Sequence, residues 1–292
     1  MKKELTVNNF ISKANPNKNK LVAMLAPSFV SEFKYPEIIF KLKKLGFDKV
    51  VELTFGAKMI NRDYYKILES NKKSKKLIIS TVCPGIVETI KLKYPKLKDN
   101  LIVVDSPMAA TAKICKKEFP KHKTVFISPC NFKKIEAERT KYVDYVIDYQ
   151  ELKKLLDKRC TSECKISSRR FDRFYNDYTK IYPLAGGLSK TAKFKSAINK
   201  NEIKIIDGIL DVEKFLNNRN SSKNKNIRFL DVNFCKGGCI GGPCLSKNIS
   251  LAKKKKRILD YMKLAKKEDI PNCDLGTIDK SKGISFTDTK FK

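Results

Sequence analysis

Nine cysteines beside a single histidine, His122, limit the chemistry open to this 292-residue chain. Four of the cysteines stand in turns made of glycine and proline: Cys83 in STVCPG, Cys130 in SPCNFKK, and Cys235 and Cys239 in FCKGGCIGGP. With one histidine, neither a His-rich zinc site nor a diad using any histidine but His122 can be built. Chemistry must come from cysteine, lysine or carboxylates. An isolated cysteine after a strand is ordinarily a small buried hydrophobe, but four of them in such turns point to ligands. A four-iron four-sulfur cluster needs thiolates at tetrahedral corners, which loops supply more readily than continuous helices. The turns suit that demand. Pro84 follows one cysteine and Pro129 precedes another, Gly237 and Gly238 let the chain curl between Cys235 and Cys239, and Gly241 and Gly242 are expected to clear space for a bulky inorganic group. Amides freed in such turns can donate hydrogen bonds to sulfur.

The other cysteines carry less. Cys115 and Cys273 are read as structural or incidental, and Cys244 as a bystander near the cluster. Cys160 and Cys164 repeat the Cys-x-x-x-Cys spacing and could join Cys235 and Cys239 in a structural zinc site. Disulfides are not expected in a chain with no secretory signal.

The elements that must position the cysteines follow an α/β rhythm, with short β-branched runs alternating with amphipathic stretches. Strands are expected at KLVAML from Lys20, KVVELT from Lys49, LIIST from Leu77, LIVVD from Leu101, TVFIS from Thr124 and DYVID from Asp144, then EIKII from Glu202 and IRFLDVNF from Ile227. Helices are expected around 36–45, 61–69, 85–93, 108–118, 150–158, 212–216 and 251–266, with a further helix after Gly186 and Gly187. Cys83, Cys130 and Cys235 each fall just past a strand, and the turn LAPS at Leu25–Ser28 ends the first. In an open α/β sheet ligands sit at the carboxyl ends of strands, so these turns can face one crevice. The expected organisation is an N-terminal extension (1–19), a first α/β lobe (20–158), a polar, Arg-rich and aromatic connector or covering loop (159–182), a second lobe closed by the terminal helix (183–270), and an irregular tail (271–292). Both lobes would hold mainly parallel sheet flanked by helices.

Composition sets bounds. A length of 292 residues suits one large domain or two lobes, and 41% hydrophobic residues suffice for a core. No apolar run approaches the roughly 20 residues a bilayer requires, and the N-terminus lacks a signal-peptide pattern, so a cytoplasmic location is expected and no membrane partner. The net charge of +32 comes from lysines scattered along the whole chain. An ordinary Lys-rich surface is the plainest account; docking to an acidic protein comes next, and nucleic acid is not expected, since that would want a stripe interleaved with aromatics.

As an ordered set, these motifs resemble the catalytic domain of the iron-only hydrogenases and of relatives that carry clusters without hydrogen turnover. The likeness runs from about Lys20 to about Cys244. LAPSFV is similar to that family's TAPS-type turn, LKKLGFDKVVELTFGAK to its "K-L-G-F-D-K-V…F-G-A" stretch, and STVCPGIVETIKLKYPKL to its TSCCP motif. SPMAATAK, SPCNFKKIEAER and FCKGGCIGGP resemble the SPQQ, MPCTAKK and ACxGGCxxGG motifs. The resemblance implies a cluster at the lobe interface held by Cys83, Cys130, Cys235 and Cys239, with Cys239 also bridging to a diiron subcluster in true hydrogenases. It further implies that Lys133 contacts a ligand of that subcluster and that Ala26, Pro27 and Ser28 pack beside it.

The departures matter as much. The proton-delivering first cysteine of TSCCP is Val82 here; the proton-path glutamates fall on or near Tyr64 and Ile67 and the serine near Ile102; Ser128 and Met108 replace a methionine and a glutamine. A relay needs groups within hydrogen-bond reach, and these residues do not provide one. The strings YPLAGGLSKT and the Lys-rich terminal helix are similar to hydrogenase-like branches thought to sense hydrogen. The expectation is therefore an iron-sulfur protein in redox sensing or electron transfer with weak or no hydrogen turnover, its electrons exchanged with a ferredoxin-like or other acidic protein, and with a signalling partner conceivable. A genuine hydrogenase with a diiron subcluster is the alternative. A zinc-holding nucleic-acid or scaffold protein is the reading from another class.

Overall fold

The computed structural model describes residues 20–159 and 170–287. Short apolar runs become strands, of which the Leu21–Leu25, Lys123–Ser128 and Phe229–Asn233 runs are buried on both faces, as parallel sheet covered by helices requires, while Ile203–Asp207 is largely exposed. The elements are β1 (Leu21–Leu25), α1 (Glu37–Lys44), β2 (Lys49–Glu52), α2 (Thr54–Ser70), β3 (Ile78–Ile79), α3 (Pro84–Lys93), α4 (Pro107–Glu118), β4 (Lys123–Ser128), α5 (Phe132–Glu138), β5 (Tyr145–Asp148), α6 (Tyr149–Arg159), α7 (Gly187–Thr191), β6 (Ile203–Asp207), α8 (Ile209–Asn217), β7 (Phe229–Asn233) and α9 (Leu251–Ala265). No helix among the described residues is long and apolar enough to cross a membrane.

Two wholly parallel sheets result, one ordered β2-β1-β4-β5 and the other β3-β7-β6. Alternation along β1 sends Leu21, Ala23 and Leu25 to one side and Val22 and Met24 to the other. The first side packs on α1, α6 and α9 through Leu42, Leu152 and Ile258. The second side shares a core with α2, α4 and Phe229 of the other sheet. The far face of that sheet closes on α3 and α8 through Ile86, Ile90, Val212 and Phe215. The α2/α4 layer therefore lies between two sheets.

Several expectations need correction. The boundary between 20–158 and 183–270 follows the chain, whereas the sheets interleave it: β3 from the earlier stretch pairs with β7, and α9 from the later one packs on the first sheet. LIVVD forms no strand, only a bridge between Leu101 and Ile79. Its acceptors are used otherwise, because the Thr81 hydroxyl donates to the carbonyls of Ile102 at 2.9 Å and Val104 at 3.3 Å. From 170 to 182 the connector is a core segment: Phe171 and Phe174 are buried, and so is Lys180, whose ammonium bonds Glu52 and the Tyr261 hydroxyl. The tail carries short 3₁₀ turns, and Phe286 is buried. Helix α5, unforeseen in the sequence, starts two residues after Cys130. Cys160 and Cys164 lie outside the described residues.

Candidate metal centre

Local rules set each cysteine in place. Cys83 precedes Pro84, which both starts α3 and drives Cys83 into an extended conformation (φ −102°, ψ 107°). The positive end of the α3 dipole thus lies against this thiol. Cys130 is held by Ser128, whose hydroxyl donates to its carbonyl at 2.8 Å and accepts from its amide at 3.0 Å. Cys235 leaves β7, and Gly237 and Gly238 at φ +83° and +78° turn the chain back to Cys239. The Cys239 amide then donates to the Pro183 carbonyl at 2.7 Å, so the YPLAGG segment backs the loop.

Gly241 and Gly242 are required by chain packing as well. A Cβ at Gly241 would lie 1.9 Å from the Lys236 carbonyl oxygen, and one at Gly242 2.5 Å from that of Pro129. Close approach of chain to chain demands both, and Gly242 also lines the cavity.

All four cysteines line one cavity of about 850 Å³, open in part to solvent, at the carboxyl ends of both sheets. Ala26, Pro27, Ser28, Val82, Met108 and Lys133 line it too, so every residue singled out from the sequence as a cluster or subcluster contact meets there. Ser128 lies behind, bonded to Cys130. Cys115 is buried in the α2/α4 layer, away from the cavity. Cys244 sits behind Cys130, its thiol 3.2 Å from Asn131 Oδ1. Tyr64 is fully buried, and its hydroxyl accepts from the Thr81 amide at 2.8 Å and pairs with the Thr81 hydroxyl at 3.0 Å. Ile67 packs on the core.

Lys133 is fixed by partners the sequence reading missed. Its ammonium donates to Glu136 Oε2 at 2.6 Å and reaches the Val82 carbonyl at 3.5 Å, while the other Glu136 oxygen accepts from the Ser106 hydroxyl. The Lys-x-x-Glu spacing on a helix was the available signal. Tyr149 was missed as well: its buried hydroxyl bonds Ser28 Oγ at 2.7 Å and donates to the Ala26 carbonyl at 3.2 Å, locking the turn beside the cavity. Nothing in the spacing announces a partner 121 residues away.

The electrostatics suit a cationic group. Burial pushes the Cys235 thiol up to about 12, with Cys83 and Cys130 adding like-charge repulsion. Cys239, an exposed residue, lines the cavity; desolvation of its thiol there, then Cys83 and Cys130, push it well above the usual thiol range, Lys133 opposing. Burial and Cys83 raise Cys130, against the amides of Phe132 and Lys133. Thiols that resist ionisation, as those of Cys130, Cys235 and Cys239 do, release their protons only to a centre that neutralises them. The Phe234 amide already donates to Cys83 Sγ at 3.5 Å. Among the described residues no three His, Cys, Asp or Glu side chains converge as ligands of one metal ion. Thiols on several walls of one cavity fit a polynuclear cluster, each iron taking one thiolate, better than a single zinc, which needs its ligands around one point.

Comparison with known proteins agrees with this geometry. The profile described as "Iron only hydrogenase large subunit, C-terminal domain" matches residues 19–243. Iron hydrogenase 1 of Clostridium pasteurianum is 25% identical over 256 residues, covering 70% of this chain and 44% of that protein. The cytosolic Fe-S cluster assembly factor NAR1 of Encephalitozoon cuniculi is 25% identical over 234 residues, covering 73% and 63%. The chain thus spans about half to two thirds of these relatives. Among solved structures, the FeFe-hydrogenase HydA1 of Chlamydomonas reinhardtii superposes with a TM-score of 0.67 at 15% identity, over 93% of this chain and 90% of that one.

Proposed function

Because the chain belongs to the family defined by the C-terminal domain of the iron-only hydrogenase large chain, we propose that it holds a four-iron four-sulfur cluster through Cys83, Cys130, Cys235 and Cys239. We further propose that it acts in redox sensing or electron transfer with weak or no hydrogen turnover. Its relatives include both hydrogenases and an assembly factor, so membership alone selects no activity. The observation that carries the reading is the meeting of four cysteines, from distant parts of the chain, in one cavity that Val82 lines at the position of the family's proton-delivering cysteine. The cluster would supply one-electron chemistry. The chain's own part is to shield it, to donate the Phe234 amide to sulfur, and to hold Lys133 over the cavity through Glu136.

Protons set the limit on turnover. Val82 has no group to transfer one, and the Tyr64 hydroxyl is engaged with Thr81. An acidic electron carrier is the fitting partner for a chain of net charge +32.

Anaerobic purification followed by iron, sulfide and zinc analysis tests the proposal. Iron and sulfide in equal amounts, with visible absorbance lost in Cys235→Ser and Cys239→Ser, are expected. Stoichiometric zinc without iron would overturn it. The second reading, a hydrogenase with a diiron subcluster bridged by Cys239, is favoured by the continuation of the cavity to Ala26, Pro27, Ser28 and Lys133. Infrared bands of carbon monoxide and cyanide in protein exposed to the maturation machinery would select it.

A further inference from the structure

The strand that delivers Cys235 also carries a carboxyl one step behind the cavity. Asp231 and Asn233 share a face of β7 by the two-residue period; Asn233 lines the cavity, and Asp231 is 1% exposed. The Ser189 amide donates to its Oδ2 at 2.8 Å, and among the described residues it joins no ion pair. Its titratable surroundings are Tyr64 of α2, Tyr182 before α7 and Lys190 on α7. Tyr182 lines the cavity and stands within electrostatic reach of both Asp231 and Cys239. Its hydroxyl, and Oδ1 of the buried Asn61, are enclosed without hydrogen-bond partners among the described residues. The Tyr182 hydroxyl thus keeps hydrogen-bonding capacity unused within electrostatic reach of the carboxyl, on a residue that lines the cavity.

Burial raises the Asp231 pKa, with Ser189 and Lys190 opposing. Negative charge added to the cavity raises it further, because like charges in a dry site disfavour each other. Resting on the reading that the four cysteines hold a cluster, we propose that Asp231 binds one proton whenever the cluster takes one electron from a one-electron carrier, and gives it back on reoxidation. One electron and one proton enter together. The carboxyl O–H bond forms at the expense of an O–H bond of the solvent donor, and the charge of the site stays constant. Tyr64 and Tyr182, raised above the ordinary tyrosine range by burial, keep their protons throughout.

The test is a redox titration of the whole, cluster-loaded protein across pH, followed by visible absorbance, for the unaltered chain, Asp231→Asn and Asp231→Glu. Asn keeps the acceptor for Ser189 and has no proton to exchange. The unaltered protein is expected to lose up to about 59 mV of potential for each tenfold fall in proton activity. Asp231→Asn should be flat and sit near the acid limit of the unaltered protein, and Asp231→Glu should restore a slope. Redox-difference infrared spectra of the unaltered protein supply a readout that needs no variant: a protonated-carboxyl band must appear on reduction. A flat profile in the unaltered protein, an unchanged slope in Asp231→Asn, or the absence of that band overturns the inference while leaving the cluster in place. A protein with no chromophore overturns the cluster reading, and this inference with it.

Discussion

At the residue scale, burial decides what each polar side chain is for. The Tyr149 hydroxyl has two partners, Ser28 Oγ and the Ala26 carbonyl, and no exposure to water. Removing it strands Ser28 in a dry site, so Tyr149→Phe should cost about 1–3 kcal/mol, read as a fall in urea midpoint with unchanged slope. Cluster content should fall too if the turn beside the cavity loosens. Lys133 and Glu136 were read differently from the sequence, the one as a cavity contact and the other not at all. Cys-x-x-Lys was legible as a motif, whereas the reason Lys133 holds its pose is a carboxylate one helical turn on and a serine at the start of another helix.

At the element scale, helices α3 and α5, which begin beside Cys83 and Cys130, are clasped by Arg139 and Glu88, whose guanidinium and carboxylate pair through two hydrogen bonds. The Arg139 side chain holds the Glu88 carboxyl below its ordinary value of 4.5. A carboxyl depressed in the folded state stabilises above its unfolded value and ceases to do so as pH falls through its folded value. Unaltered protein should therefore lose an increment of stability below pH 4.5 that Glu88→Gln never had. The pair is partly exposed, so the increment should stay below about 1 kcal/mol, measured as the difference between two urea midpoint–pH curves. The Cys235–Gly242 loop obeys a harder constraint. Gly241→Ala places a Cβ 1.9 Å from a backbone oxygen, which a carbonyl in a fixed loop cannot relieve. Iron content should drop sharply with little change in far-ultraviolet circular dichroism, because the loop carries two ligands and little regular structure.

For the whole molecule, one buried ion pair ties together parts far apart in the chain. Lys180 bonds Glu52 at the end of β2 and donates to the Tyr261 hydroxyl of α9 at 2.9 Å, with its ammonium over the Tyr175 and Tyr261 rings at 4.6 and 4.5 Å. Lys180→Met leaves a carboxylate buried without its cation and should cost about 3–5 kcal/mol. Adding Glu52→Gln should recover most of it, as read from thermal or urea unfolding. The polar, aromatic, Arg-rich composition of 159–182 suggested a connector or covering loop, because a lysine announces nothing about burial until its carboxylate and rings are assembled around it.

Strand runs, helix stretches, the glycine turn between Cys235 and Cys239 and the position of each cysteine past a strand were all written locally. They depend on spacing, proline, glycine and hydrophobic period, which act within a few residues. Which sheet each strand would join, that α9 would close the first sheet rather than the second, that LIVVD would give its carbonyls to Thr81 instead of a ladder, and that Asp231 would stand buried behind the cavity depended on contacts across the chain. Those choices rest on burial of side chains by partners distant in sequence, a quantity that exists only once the layers are stacked.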